Sequence, residues 1–356
     1  MRALRFSRFV GFLLVLLFSI ASLRLRSADE AVRAAGAEPA ATPRPALVFL
    51  SKDTAQLEVV DPSTLQIMAK IGTGPIPHEV AVSSDGKIAV TTNYGAKMDG
   101  TTLSVIDLDA QKEIHRVSLI KVIGPQGEDF GELIGPHGVE FFDGKFYFTA
   151  EGSKKIARYD PATDKVDWTH EIGQNRTHML VIAKKTHTIY TSNVNSNSVT
   201  AVEESRDGGH WTNTVIQVGK GPEGIDISPN GKEVWAANSD DGTVSVIDTE
   251  AKKVTDTIQV GTKHSNRVRF TRDGKLVLIS DMGAGNLIVV DAQSHKIVKQ
   301  LPMGGSCEGI LLQPGTDNAF VAVSSANKIA IVDLKQLTIT RAIQTDKDPD
   351  GMAWRN

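Results

Sequence analysis

GPEGIDISPNGKEVWAANSDDGTVSVIDTEAKKVTDTIQVG, residues 221–261, holds four short runs of strand character: GIDIS, EVWAAN, TVSVIDT and VTDTIQV. Each is rich in β-branched or aromatic residues and too short for a helix. The runs are joined by turn chemistry: Pro229-Asn230-Gly231, Asp240-Asp241-Gly242, and the segment from Thr249 to Lys252. The unit recurs. The residue at its head can be followed through His78, His137, His178, Glu223, Asn266, Glu308 and Asp350, at spacings of 59, 41, 45, 43, 42 and 42. Four strands at a period near 42 are the signature of a β-propeller blade.

Both ends of the repeat fit a closed ring. After Asp350 the chain offers one strand, GMAWRN; before the first full unit, residues 46–72 offer three. One plus three completes a seventh blade, and closure removes the sheet edges that an open array exposes. The predicted fold is therefore all-β: a seven-bladed β-propeller over residues 46–356, its N-terminal blade completed by the C-terminal strand. A length of 356 residues would otherwise suggest two domains.

Upstream, Arg2, Arg5 and Arg8 precede an apolar run, and Ser19 and Ala21 have the small-residue spacing of a cleavage site. Residues 1–27 read as a signal peptide or an N-terminal anchor, Arg24 and Arg26 being unusual past a cut. Residues 28–45, rich in Ala and Pro, read as a flexible leader. The expected location is periplasmic or secreted, with no membrane contact beyond such an anchor, and the expected state is a monomer. Net charge is −3, and cleavage after Ala21 removes three Arg and no acids, giving −6. That balance argues against a nucleic-acid partner. A single Cys excludes an internal disulfide and a Cys-based zinc cluster.

In a propeller the first strand of each blade lines the central channel, so the seven tracked residues form a polar ring at one mouth. The ends of the second strands return there and supply a second ring: Ser51, Asn93, Glu151, Asn193, Asn238, Asp281 and Ser324. This mouth is the expected binding face for a small molecule or a protein. Its expected ligand contacts are Asn93, Asn193, Asn238, Asn266, Asp281, Glu308 and Asp350. The other reading of the second ring is that its Asn and Asp residues only cap the turns that follow. His78, His137 and His178 come from consecutive blades and are the candidate metal ligands. Imidazole suits Zn, Cu, Fe and Ni, and three His leave an open coordination position. The cofactor expected on this reading is a transition metal ion such as Cu, Zn or Fe. Glu223, next around the ring, is a candidate fourth ligand or general base. The plainer reading is a hydrated polar lining.

The long first spacing places an insertion at residues 120–133 on the same mouth, where its Gly residues and acids suit a lid or a tolerated surface loop. Cys307 is expected to point away from the channel if Glu308 points in. Arg267 and Arg269 follow the ring position Asn266 and suit a clamp for a carboxylate or phosphate, although adjacency alone does not place them in the channel.

Segments such as AANSDDGTVSVIDTEAKKVTDTIQVG and VAVSSANKIAIVDLKQLTITRAIQ resemble the YVTN-type repeat of seven-bladed propellers, lactonase-like and quinoprotein-like among them. The resemblance covers residues 47–356 and implies the fold; propellers host many activities, so it implies function weakly. GPIPHEVAVSSDGKIAVTTNYG resembles the opening repeat of propeller lactonases, and GPHGVEFFDGKFYFTAEG resembles repeats of propeller lyases. That likeness implies acid–base roles for His78, His137 and Glu151. Three function classes follow: a binding protein, a propeller enzyme (hydrolase or lyase, or metal-dependent oxidoreductase), and a non-catalytic interaction scaffold.

Overall fold

The computed structural model describes residues 45–356. The signal or anchor segment and residues 28–44 of the leader lie outside the described residues. Seven four-stranded antiparallel sheets make up the body, each meandering outward from the channel. Blade 1 is residues 77–118, blade 2 136–171, blade 3 177–217, blade 4 222–259, blade 5 265–302 and blade 6 307–344. Blade 7 is composite: Ile67–Gly72, Gln56–Val60 and Ala46–Ser51 continue into Pro349–Arg355 as the innermost strand. Leu47 faces Trp354 and Phe49 faces Met352 across that seam. Arg355 then donates to the Leu108 carbonyl at 3.0 Å and ties the closing strand to blade 1.

The quoted repeat shows why these residues make a blade. Its middle strands Glu233–Asn238 and Thr243–Asp248 are buried on both faces, because blades stack face to face. Trp235, Val244 and Val246 of blade 4 pack on Val268, Phe270, Val277 and Ile279 of blade 5 in one apolar cluster. The fourth strand, Lys253–Gln259, lies at the rim and is largely exposed. At the first turn, Asn230 accepts from the Lys232 amide at 2.9 Å and Gly231 takes a positive φ of 75°.

Two devices hold the ring at its neck. The residue after the ring position is Gly in four blades: Gly138, Gly224, Gly309 and Gly351. A Cβ on any of them would lie 2.3–2.9 Å from the next blade's inner strand. These glycines let neighbouring inner strands approach closely. The second device is a hydroxyl near the end of the second strand. Thr149 Oγ1 accepts the Gly138 amide at 2.9 Å and donates to the His178 carbonyl of the next blade at 2.7 Å. Thr92 and Ser192 do the same for the carbonyls of His137 and Glu223, both at 2.6 Å. The amide is left free by a β-bulge just past each ring residue. Thr149→Val should leave both groups unmet and cost about 1–3 kcal/mol, read as a lower unfolding midpoint in urea at constant slope.

Candidate functional site

Each ring residue is the second residue of its innermost strand, and the bulge behind it aims the side chain into the channel mouth. His137, His178, Glu223, Asn266, Glu308 and Asp350 are buried; the His78 side chain remains 21% exposed. The ring divides into an imidazole side and a charged side.

On the imidazole side the three His meet. Ring centroids are 4.8 Å apart for His78 and His137, and 3.9 Å for His137 and His178. His137 Nε2 and His78 Nδ1 are hydrogen-bonded at 3.2 Å, and His137 Nδ1 is buried with no partner. Glu151, just past the end of a second strand, reaches into this group and bonds His178 Nδ1. Donor atoms of His137, Glu151 and His178 all lie within 4.8 Å of one another, close enough to share one cation. The nearest donor set is thus two imidazoles and a carboxylate rather than three imidazoles, with His78 one hydrogen bond away through His137.

Glu151 is oriented from two further directions. Tyr94 Oη donates to its Oε2 at 2.6 Å, and Arg176 Nε lies 3.4 Å from the same oxygen. Burial alone would raise the Glu151 carboxyl, but His178, Tyr94 and Arg176 hold it below its ordinary value. The histidines behave oppositely. Burial takes His78 down to about 3, with Lys52 and Arg267 reinforcing and Asp350 opposing. Burial and its neighbours His178 and His78 hold His137 well below its usual value. Neutral imidazoles are the form that binds a metal or accepts a proton.

The charged side is an ion-pair network. Arg267, in blade 5, crosses the channel to pair with Glu79 of blade 1 and lies 3.5 Å from Asp350 of blade 7. Lys52 pairs with Glu308 and lies 3.4 Å from Asp350. Burial raises Glu308 to about 7, while Lys52 and Arg267 overcome burial and bring Asp350 to about 2. Glu223 accepts from Asn266 at 3.3 Å and lies 3.5 Å from His264, outside the His137, Glu151 and His178 group. Glu308, Asp350 and Asn266 therefore spend polar atoms on protein partners.

The second ring is spent likewise. Asn93, Asn193 and Asn238 each donate to two hydroxyls of the adjoining strand, such as Thr243 and Ser245 for Asn238 at 2.8 and 3.0 Å. Asp281 accepts the amides of Lys263, His264, Gly283 and Ala284. The Asp281 contacts to Gly283 and Ala284 are those of a turn cap, whereas the three Asn are held by side-chain hydroxyls of the adjoining strand. Cys307 is fully buried and its thiol is pushed up to about 12, first by burial, which makes it an inert core residue. The 120–133 insertion forms a small hairpin, Val122–Ile123 against Asp129–Gly131. Val122 and Leu133 anchor its base in the core between blades 1 and 2.

Sequence reasoning named Arg267 only as a clamp for a carboxylate or phosphate, without its partners, and missed Glu79, Lys52, Tyr94 and Arg176. One signal was available for the Arg267–Glu79 pair. The position after each ring residue is usually Gly, and two of its three exceptions, Glu79 and Arg267, carry opposite charge.

Comparison with known proteins agrees with this architecture. A Cytochrome D1 heme domain family model matches residues 136–312, which carry five of the seven ring residues. YncE of Salmonella typhimurium is 24% identical over 189 residues, 52% of this chain and 53% of that protein, so the match spans about half of each. Among solved structures, the periplasmic gluconolactonase PpgL of Pseudomonas aeruginosa superposes with a TM-score of 0.68 at 12% identity, covering 88% of this chain and 99% of that one. Dihydro-heme d1 dehydrogenase NirN, in complex with DHE, gives 0.60 at 12% identity, covering 86% and 74%. At these identities the solved structures show the fold alone. No helix of the described residues is long and apolar enough to cross a membrane.

Proposed function

We propose that this chain, a seven-bladed propeller of the lactonase-like kind, binds a transition metal ion through His137, His178 and Glu151 and serves small-molecule chemistry at that mouth. The observation that carries this reading is the convergence of three buried donors within 4.8 Å of one another, from two neighbouring blades. The donor set fits. Two imidazoles and one carboxylate are ligands of Zn and of non-haem Fe(II), and leave coordination positions open. His137 Nδ1, buried and without a partner, is the kind of atom such an ion would satisfy. The bound ion would supply Lewis acidity toward a carbonyl or hydroxyl oxygen.

The surrounding residues have separable tasks. Tyr94 and Arg176 fix the carboxylate plane of Glu151, and His78 fixes the ring orientation of His137. His78, neutral and the most accessible of the three imidazoles, is placed to hydrogen-bond a molecule entering the mouth. That last observation also favours a second reading, metal-free acid–base hydrolysis or lyase chemistry with His78 and His137. The likeness to a gluconolactonase supports it at the level of fold. A periplasmic or secreted setting accords with the N-terminal sequence and with the location printed for PpgL.

Elemental analysis of native, untagged protein, followed by titration of the stripped protein with Zn²⁺, Fe²⁺ and Cu²⁺, tests the proposal. Stoichiometric binding is expected in the wild type and none in His137→Ala or His178→Ala. Tyr94→Phe, which removes only a support of Glu151, should cost about 10–100-fold in affinity. Absence of binding in the wild type, or binding indifferent to those His substitutions, overturns it. Lactone turnover that persists in chelator and disappears in His78→Ala would establish the second reading instead. Silence in both assays leaves the scaffold class.

A further inference from the structure

The channel has a second opening with its own cavity. Beyond the Arg267–Glu79 pair the inner strands enclose a space of about 730 Å³, which has Glu79 in its lining. The turns around Lys184–Thr186 and Ser228–Gly231 border it, at the opposite ends of the strands that begin at the imidazole mouth. Its size falls within the range of small-molecule sites. Much of its wall is apolar, with Val139, Met179, Ile225 and Met352. Three carboxyls face it: Glu79, Glu140 and Asp226.

Charge matching singles out one of the three. Glu79 is paired with Arg267. Asp226 accepts the Phe270 amide at 2.8 Å and Arg269 at 3.3 Å. Glu140 accepts only the Ile182 amide, at 2.8 Å, and no cation of the described residues pairs with it. The nearby Lys184 and Lys185 side chains lie exposed at the rim. Arg269 Nε, buried and without a partner, is a further unmet polar atom beside the same space. A partly open chamber with apolar walls and one carboxyl lacking a counter-ion is complementary to a ligand that brings an ammonium group on an apolar body.

We propose that this cavity is a second ligand site, separate from the imidazole mouth, that takes an amphipathic organic amine with its ammonium on Glu140 and its apolar body against Met179, Ile225 and Met352. Burial pushes the Glu140 carboxyl up to about 7, with the Ile182 amide, Lys184 and Arg269 opposing and Asp226 reinforcing. Amine affinity should therefore rise as pH climbs through about 7, because Glu140 gives up its proton while the amine keeps its own.

The experiment is calorimetric titration of n-hexylamine, n-hexanol and n-hexanoate into the full chain held in EDTA, which silences the metal site. Saturable binding of hexylamine is expected, tighter than the alcohol by roughly tenfold or more. Glu140→Gln, which keeps an acceptor for the Ile182 amide, should remove that advantage and its pH dependence. Ile225→Trp, which narrows the wall where the apolar body is placed, should weaken binding. Failure of the amine to bind, preference for hexanoate, or an unchanged amine affinity in Glu140→Gln overturns the proposal.

Discussion

Deletion of residues 349–356 is expected to cost more than about 5 kcal/mol, on the order of the whole stability of a domain. The strand Pro349–Arg355 is the innermost strand of blade 7 and its seam with Ala46–Ser51 is what closes the ring. Without it the fully buried Leu47 and Phe49 lose Trp354 and Met352, and the Ala46–Ser51 strand becomes an open edge. Lys52 and Arg267 lose Asp350 as well. Circular dichroism melting with light scattering should show aggregation in place of the wild-type transition. A soluble monomer with unchanged melting would show that the seam does not close the ring.

Arg267→Met is expected to destabilise by about 3–5 kcal/mol, the scale for removing one partner of a buried ion pair. Arg267 is 5% exposed and is the cation facing Glu79. Its removal strands a buried carboxylate at Glu79 and leaves Asp350 with Lys52 alone on its charged side. The loss should shrink when Glu79→Gln is added, because the stranded charge is then gone. Urea unfolding of the two single variants and the double variant measures this as a coupling energy. Additive losses would show that the two side chains do not depend on each other.

The fold was legible because the repeat states each element seven times. Any single run such as EVWAAN is ambiguous, but seven phased copies with turn residues between them are not, and the split blade accounts for both ends. The ring was legible for the same reason, since equivalent positions in a closed array must meet. What stayed hidden depends on side-chain reach rather than register. Arg267 sits one residue from a ring position, and only its long side chain carries it across the channel to Glu79. Lys52 and Tyr94 follow the second strands, where the chain turns, and no periodicity says which way such a residue leans. Glu151 was grouped with His137 through a family likeness, whereas its contact with His178 needed coordinates. The Asn residues of the second ring look identical in sequence whether they cap a turn or hold a ligand.

The shared hydroxyls at the neck bear on how such a molecule comes apart. Thr149 belongs to blade 2 yet fixes the backbone of His178 in blade 3, and Thr92 does the same for His137 from blade 1. Neither blade 1 nor blade 2 can peel away without dislodging the imidazole of the next blade. Loss of either sheet would therefore disturb the imidazole pocket together with the circle.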